Sequence, residues 1–233
     1  MSLLEDLVAA NRILAEHGVI DGYGHVSVRC EKNPNRYWIA RSLAPELVTE
    51  ADLMEFDLDS NPIDQRGRPM YTERYIHGEI YKTRPEVNAV VHNHSPSVIP
   101  FGITQQPMRP VYHMSGFVGF GVPVFEIRDS RTDTDLLVSD TYLGAALAKT
   151  LGNKPCALMR GHGAVVVAEN IPVVVGRSIY LEMNARLQSQ AMTLAGPGGE
   201  ITYLSDGEVK ASLVRQDYQR SWQLWRAKGL SKV

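Results

Sequence analysis

The run Asn88-Ala89-Val90-Val91-His92-Asn93-His94 constrains this chain more than any other stretch. Its apolar lead-in predicts a buried β-strand, and the side-chain period of two puts Val90, His92 and His94 on one side of the sheet. Two residues apart, the histidine Cα atoms stand roughly 6.5 Å apart with parallel side chains, so both imidazoles can reach one ion at about 2.1 Å. A hydrogen-bonded pair of core histidines fits the same spacing. Burial favours the ion, because two imidazoles sealed from water with neither an ion nor a network are costly.

A third imidazole is offered by Arg160-Gly161-His162-Gly163, which follows a predicted strand at Cys156 to Met159. The flanking glycines permit a tight turn and close approach to a neighbouring element. Glu73 opens a predicted helix, Glu73 to Arg84, on which Glu73, His77 and Tyr81 recur every four residues before Pro85 ends it. The short connection Pro85 to Val87 folds that helix back beside the histidine strand, so the Glu73 carboxylate can stand near an ion as ligand or proton carrier. A solvated glutamate favoured by the helix dipole is the plain alternative. Three neutral imidazoles suit Zn²⁺, Mn²⁺ or Fe²⁺, and an open position makes such a site catalytic rather than structural.

The surrounding pattern alternates helices with pairs of strands. Ser2-Leu3-Leu4-Glu5 is a capping box opening an amphipathic helix that Gly18 stops. His25 to Cys30 and Tyr37 to Arg41 predict a hairpin across Lys32-Asn33-Pro34-Asn35. Further strands are predicted at Leu53 to Leu58, Met108 to Met114, Val122 to Ile127 and Ala164 to Ala168, and helices at Asp140 to Leu151 and Ile171 to Leu194. Ser205-Asp206-Gly207-Glu208 is a second capping box, opening a helical segment over about 205–233. In that segment Trp222 and Trp225, with Tyr203 before it, pack a helix or cover a neighbouring active site. The glycines from Gly116 to Gly121 do not follow the Gly-x-Gly-x-x-Gly order, so no dinucleotide site is expected. At 233 residues, one domain over 1–233 is expected.

Composition excludes several classes. With 24 basic and 26 acidic residues the formal charge is −2, which offers nucleic acid no broad basic face. At 44% hydrophobic and 21% charged, the chain has the make-up of a folded globular protein. No apolar run approaches the roughly 18 residues needed to span a bilayer, and the N-terminus lacks a basic region followed by an apolar stretch. A cytoplasmic protein with no membrane partner is expected. Cys30 and Cys156 are too few and too far apart for a disulfide framework or a thiolate metal site.

Four spaced segments, in this order, resemble the class II aldolase/adducin family. They are Gly24-His25-Val26-Ser27-Val28-Arg29, Glu73-Arg74-Tyr75-Ile76-His77, Arg84-Pro85-Glu86-Val87-Asn88-Ala89-Val90-Val91-His92-Asn93-His94 and Met159-Arg160-Gly161-His162-Gly163. The resemblance implies an α/β, three-layer αβα fold with a mainly antiparallel central sheet, in a fourfold-symmetric homotetramer with active sites between subunits. It also implies one divalent ion per subunit (Zn, Mn, Co or Fe) on His92, His94 and His162, with Glu73 as acid/base beside it.

Sugar-phosphate members of that family hold phosphate with an Asn in a Gly-Asn-x-Ser stretch, a Ser-Gly loop and two serines before the glutamate. Here His25 replaces the Asn, Arg41-Ser42-Leu43 lacks the glycine, and Tyr71-Thr72 stands in place of the serines. That disrupts a phosphate nest. Arg29, Arg41 and Arg74 lie near the altered stretches, and guanidinium forks match planar carboxylates while aromatic walls suit a flat ring. A surface ion pair is the plain alternative for each arginine. Together the replacements are similar to the decarboxylase branch, which includes enzymes acting on dihydroxyphthalate and a hydroxypyridine dicarboxylate. The expected substrate contacts are Arg29, Arg41, Ser42, Arg74, His25 and Tyr71. In the aldolases a tyrosine from a neighbouring subunit assists protonation, and the matching stretch Val111-Tyr112-His113-Met114 offers His113. The expected function is metal-dependent decarboxylation of a hydroxylated aromatic carboxylate through a metal-stabilised enolate, with Glu73 or His113 supplying the proton. The alternatives are an aldolase acting on a non-phosphorylated carbonyl compound and a non-catalytic adducin-like binding module.

Overall fold

Ser2 starts the first helix as its capping box predicts: its hydroxyl accepts from the Glu5 N–H and the Glu5 carboxylate accepts from the Ser2 N–H. The computed structural model describes residues 2–214 and 216–231, so Met1, Arg215, Lys232 and Val233 of the expected 1–233 unit lie outside the described residues. Helix α1 (Leu3–Glu16) is followed by the predicted hairpin, β1 (His25–Arg29) and β2 (Arg36–Ala40), and by β3 (Leu53–Asp57). Helix α2 (Tyr75–Thr83) leads into β4 (Ala89–Asn93), the histidine strand, and then into the short α3 (Ile99–Ile103). Next come β5 (Val124–Phe125), α4 (Thr141–Leu151), β6 (Cys156–Met159) and β7 (Gly163–Ala168). The chain continues through α5 (Ile171–Ala195), α6 (Asp206–Leu213) and α7 (Gln219–Leu230).

Among the described residues the strands form one sheet in the order β3-β2-β1-β4-β7-β6-β5, antiparallel except for the β5–β6 pair. Helices α1 and α5 pack together on the sheet, while α2 and α4 pair with each other and α4 covers β5 and β6. This is the expected α/β architecture of three layers around a mainly antiparallel sheet. Strand β4 sits between β1 and β7 and is buried along its whole length. Its register sets His92 opposite His25 on one side and opposite Val165 on the other.

Two expected strands take a different form. Residues 108–112 join no strand, His113–Phe120 is a 3-10 helix, and only Val124–Phe125 pairs in the second stretch. Side-chain amides of α5 stand in for a partner strand. Asn184 accepts from the Val111 N–H and donates to the Arg109 carbonyl, and Gln188 accepts from the Arg109 N–H and donates to the Pro107 carbonyl. Backbone groups satisfied in this way need no ladder. The predicted helix from Glu73 also begins differently: Thr72–Arg74 is a 3-10 turn with Glu73 at φ −90°, ψ 18°, and the α-helix starts at Tyr75. Both cysteines are free and buried, and no helix among the described residues is long and apolar enough to cross a membrane.

Candidate metal centre

The histidines of β4 meet the β6–β7 turn because that turn can come unusually close. Gly161 takes φ +65°, and a Cβ on Gly163 would lie 1.9 Å from the Asn93 carbonyl oxygen, so only glycine fits there. His162, between them, is thereby carried to the end of β4. Its Nε2 lies 3.1 Å from His94 Nε2, which is itself 3.2 Å from His92 Nε2. Glu73 Oε2 lies 3.4 Å from His92 Nε2 and 3.3 Å from His162 Nε2. The four ligand atoms all fall within 4.8 Å of one another.

Each imidazole is oriented from behind through its other nitrogen. His92 Nδ1 faces the Ala164 carbonyl at 3.2 Å, His162 Nδ1 the Leu136 carbonyl at 2.9 Å, and His94 Nδ1 the Asp21 carboxylate at 3.1 Å. Carbonyls and carboxylates only accept, so each Nδ1 carries the proton and each Nε2 lone pair points at the common centre. Three converging lone pairs repel one another unless a cation stands between them. Two nitrogens about 2.1 Å from one ion stand about 3.0 Å apart at a right angle and about 3.4 Å apart at a tetrahedral angle. The observed 3.1 and 3.2 Å lie in that interval, so the donor set fits a metal ion.

The fourth group is pinned as well. Glu73 is buried, and its Oε1 accepts from the Val138 N–H at 2.9 Å, which leaves Oε2 to face the histidines. Burial alone would raise its carboxyl, but the His92 and His162 imidazoles outweigh burial and hold it well below the ordinary carboxylate range. Burial likewise opposes protonation of His162, yet the bond to Glu73 raises it overall. Burial and the neighbouring His92 lower His94.

The structure distributes the remaining expected residues unevenly. His25 comes to the centre, with its ring 5.1 Å from that of His92 and 4.6 Å from that of Tyr71. Burial, with the neighbouring imidazoles, keeps His25 and His77 in the neutral form, His77 down to about 3. Tyr71 donates its hydroxyl to the Leu43 carbonyl, and the Arg41 charge acts on that hydroxyl while Arg41 Nε bonds Asp52 at 2.7 Å. Ser42 is exposed, with its N–H donating to the Pro69 carbonyl. Arg74 gives one donor from each nitrogen to Ser60, Tyr71 and the Tyr75 hydroxyl, and its guanidinium lies 4.4 Å over the Tyr75 ring.

Arg29 does not reach the centre. Four residues along β1 from His25 is about 13 Å at the usual strand rise. There its nitrogens bond the carbonyls of Val87, Pro34, Tyr81 and Arg84, several of them left open where α2 ends. Nor does His113 join the group within its own chain: it is exposed at the start of the 3-10 helix packed on α5 and α6. Asp21, Leu136 and Val138 escaped the sequence reading. Of these only Asp21 carried a signal, an Asp-Gly-x-Gly turn just before β1.

Known proteins resemble this chain in sequence or in fold. The decarboxylase tropJ of Talaromyces stipitatus is 37% identical, with 94% of this chain and 90% of that protein covered. A 3,4-dihydroxyphthalate decarboxylase of Arthrobacter keyseri is 30% identical over 88% of this chain and 84% of that protein. Among solved structures, the L-fuculose 1-phosphate aldolase from Glaciozyma antarctica PI12 superposes with a TM-score of 0.79 at 24% identity, covering 97% of this chain and 88% of that one, a likeness of fold. Decarboxylases and aldolases both break carbon–carbon bonds, and this chain is an enzyme of that lyase class. Its residues 5–189 match the Class II Aldolase and Adducin N-terminal domain, and the chain belongs to that family.

Proposed function

We propose that this chain, as one class II aldolase-like domain, decarboxylates a hydroxylated aromatic carboxylate with one divalent ion held by His92, His94 and His162. The observation that carries this reading is the convergence of three Nε2 lone pairs whose Nδ1 atoms are all tied to acceptors. The donor set suits zinc, manganese, cobalt or iron, and such an ion supplies Lewis-acidic charge for the substrate oxygen on which negative charge collects.

The chain's own residues do the rest. Glu73 Oε2 takes the proton from a ring hydroxyl as the substrate binds, while the Val138 N–H holds Oε1 in place. Glu73 then delivers that proton to the ring carbon bearing the carboxylate, which takes the ring to its keto form. The bond between that carbon and the carboxyl carbon breaks, CO2 leaves, its electron pair restores the aromatic ring as negative charge passes to the ring oxygen, and water reprotonates that oxygen on release. His25 and Tyr71 form an aromatic wall beside the ligands, with Arg41 and Ser42 on the segment behind Tyr71 and Arg74 after Glu73. His113 lies outside the group in its own chain, so its role as a proton donor belongs to a neighbouring subunit in a homo-oligomer, a tetramer by family resemblance.

The relatives named decarboxylases support this choice, as does the imidazole of His25 where sugar-phosphate members place an amide. The test is a chelator-stripped enzyme assayed on 3,4-dihydroxyphthalate and related hydroxylated phthalates and pyridine dicarboxylates, with each metal restored in turn. Metal-dependent CO2 release supports the reading. An aldehyde product instead would move the enzyme to the aldolases, and full turnover without metal would overturn the proposal.

A further inference from the structure

Beside the metal centre the core contains a line of four hydrogen-bonded polar side chains, three of which the proposed chemistry does not use. Tyr81 Oη lies 2.8 Å from Ser27 Oγ, Ser27 Oγ 2.6 Å from His77 Nδ1, and His77 Nε2 2.7 Å from His25 Nδ1. Their exposures run from 0% for Ser27 and His77 to 2% for His25. A spacing of four sets His77 and Tyr81 on one face of α2, and a spacing of two sets His25 and Ser27 on one side of β1. Sealing four polar side chains in a core costs stability that apolar residues of the same volume would not cost. The line ends at His25, which stands opposite His92 in the ladder.

The line also has a direction. Among the described residues the Tyr81 hydroxyl has no acceptor but Ser27 Oγ, so its proton stays paired only if Tyr81 donates to Ser27. Ser27 then donates to His77 Nδ1, and His77 carries its proton on Nε2 and donates it to His25 Nδ1. A neutral imidazole that accepts at Nδ1 carries its own proton on Nε2. His25 Nε2 bonds nothing among the described residues, and it is not one of the fully buried atoms left without a partner, so part of its surface stays open to a bound molecule.

We propose that His25 presents this Nε2–H as a fixed donor to an anionic substrate oxygen beside the metal ligands, with Ser27, His77 and Tyr81 as positioning residues. The class of oxygen, a ring hydroxyl or carboxylate, rests on the proposed function; the direction of the line does not. A neutral donor fits decarboxylation, in which charge leaves the departing carboxylate and builds on a neighbouring oxygen. A donor set at that oxygen binds the transition state more strongly than the ground state.

The test is two-bond ¹H–¹⁵N spectroscopy of zinc-loaded enzyme labelled at histidine, with the His25 signals assigned by their loss in His25→Gln. The expected wild-type spectrum shows His25 protonated on Nε2, and added 2,3-dihydroxybenzoate shifts that resonance. In Ser27→Ala the line loses its donor to His77, and His25 becomes a mixture of tautomers. In Tyr81→Phe the hydroxyl that sets the direction of Ser27 is gone, and the Nε2-protonated share of His25 falls, though less than in Ser27→Ala. A wild-type His25 protonated on Nδ1, or an Nε2–H that 2,3-dihydroxybenzoate leaves unmoved, overturns the proposal. Absence of decarboxylation on every acid assayed would strike the proposed function while leaving these resonances readable.

Discussion

Asp21 and His94 meet with both carboxylate oxygens near one ring nitrogen, Oδ1 at 3.1 Å and Oδ2 at 3.2 Å from His94 Nδ1. The same Oδ1 accepts from the Tyr23 and Gly24 N–H groups, so the turn that launches β1 fixes the carboxylate. Burial pushes its carboxyl up, but those N–H groups and His94 outweigh burial and hold it below the ordinary aspartate range. It therefore stays ionised at neutral pH and keeps the His94 Nε2 lone pair turned inward. Asp21→Ala is expected to weaken zinc binding about 10- to 100-fold, as loss of an orienting carboxylate behind a metal-bound histidine does. Asp21→Asn, which can still accept through its oxygen, loses less. Competition with a zinc chelator measures both, and wild-type affinity in Asp21→Ala would refute the orienting role.

Glu73→Gln keeps the side-chain shape and the acceptor for the Val138 N–H but cannot shuttle a proton. Its kcat for CO2 release is expected to fall by about 10²- to 10⁴-fold, the usual contribution of a positioned acid or base. Zinc content should remain near one ion per chain, because the three imidazoles are unchanged. A variant with normal zinc content and wild-type kcat removes Glu73 from the proton transfer.

The elements that build this site were legible where local pattern and tertiary pairing agree. Strand β6 begins and ends at the predicted Cys156 and Met159, since β5 and β7 pair with its two edges and α3 and α4 pack against it. The histidine strand was legible for the same reason. Residues 108–114 read as a strand because the alternation of side chains is genuine, but the amides of Asn184 and Gln188, more than 70 positions away, satisfy their backbone. Arg29 resembled a carboxylate clamp in sequence, and only the fold reveals the carbonyls at the end of α2 that claim it. Asp21 announced a turn, while its contact with His94 depends on β1 and β4 being neighbours.

Metal binding should strengthen as pH rises, for a reason located in one bond. The Glu73 carboxylate raises His162 above the ordinary 6.5 although burial pushes the other way. An ion and a proton compete for the same nitrogen, so zinc affinity is expected to go on climbing as pH rises past the ordinary histidine value of 6.5 and to level off once His162 has lost its second proton. The metal-free chain has the opposite sign at this end. A raised histidine stabilises the fold below its unfolded pKa, and that contribution disappears as pH rises through the folded value. Glu73, held low, contributes above the ordinary 4.5 and loses that contribution as pH falls. The pair therefore stabilises the metal-free chain most between these limits. Glu73→Gln should move the zinc titration to lower pH, and calorimetry across that range would expose an unshifted profile as a contradiction.

Gly163 tests whether the close approach of β7 to β4 is what assembles the site. A Cβ there would stand 1.9 Å from the Asn93 carbonyl oxygen and 3.0 Å from His94 Cα, backbone against backbone with no flexible side chain to yield. The Asn93–Ala164 pair would have to part, and His162, one residue before the glycine, would move with it. Gly163→Ala is therefore expected to destabilise the metal-free chain by about 1–3 kcal/mol, as overpacking does, and to weaken zinc binding more than tenfold. Gly161→Ala is the control. Its φ of +65° costs an alanine about 1 kcal/mol, but its Cβ meets only Ile103 and Leu136 at 3.9 Å, so the ligands stay in place and zinc affinity holds. Denaturant unfolding and zinc titration of the two variants separate strain from displacement. Equal zinc affinities in both would mean that His162 reaches the centre without the close contact at Gly163.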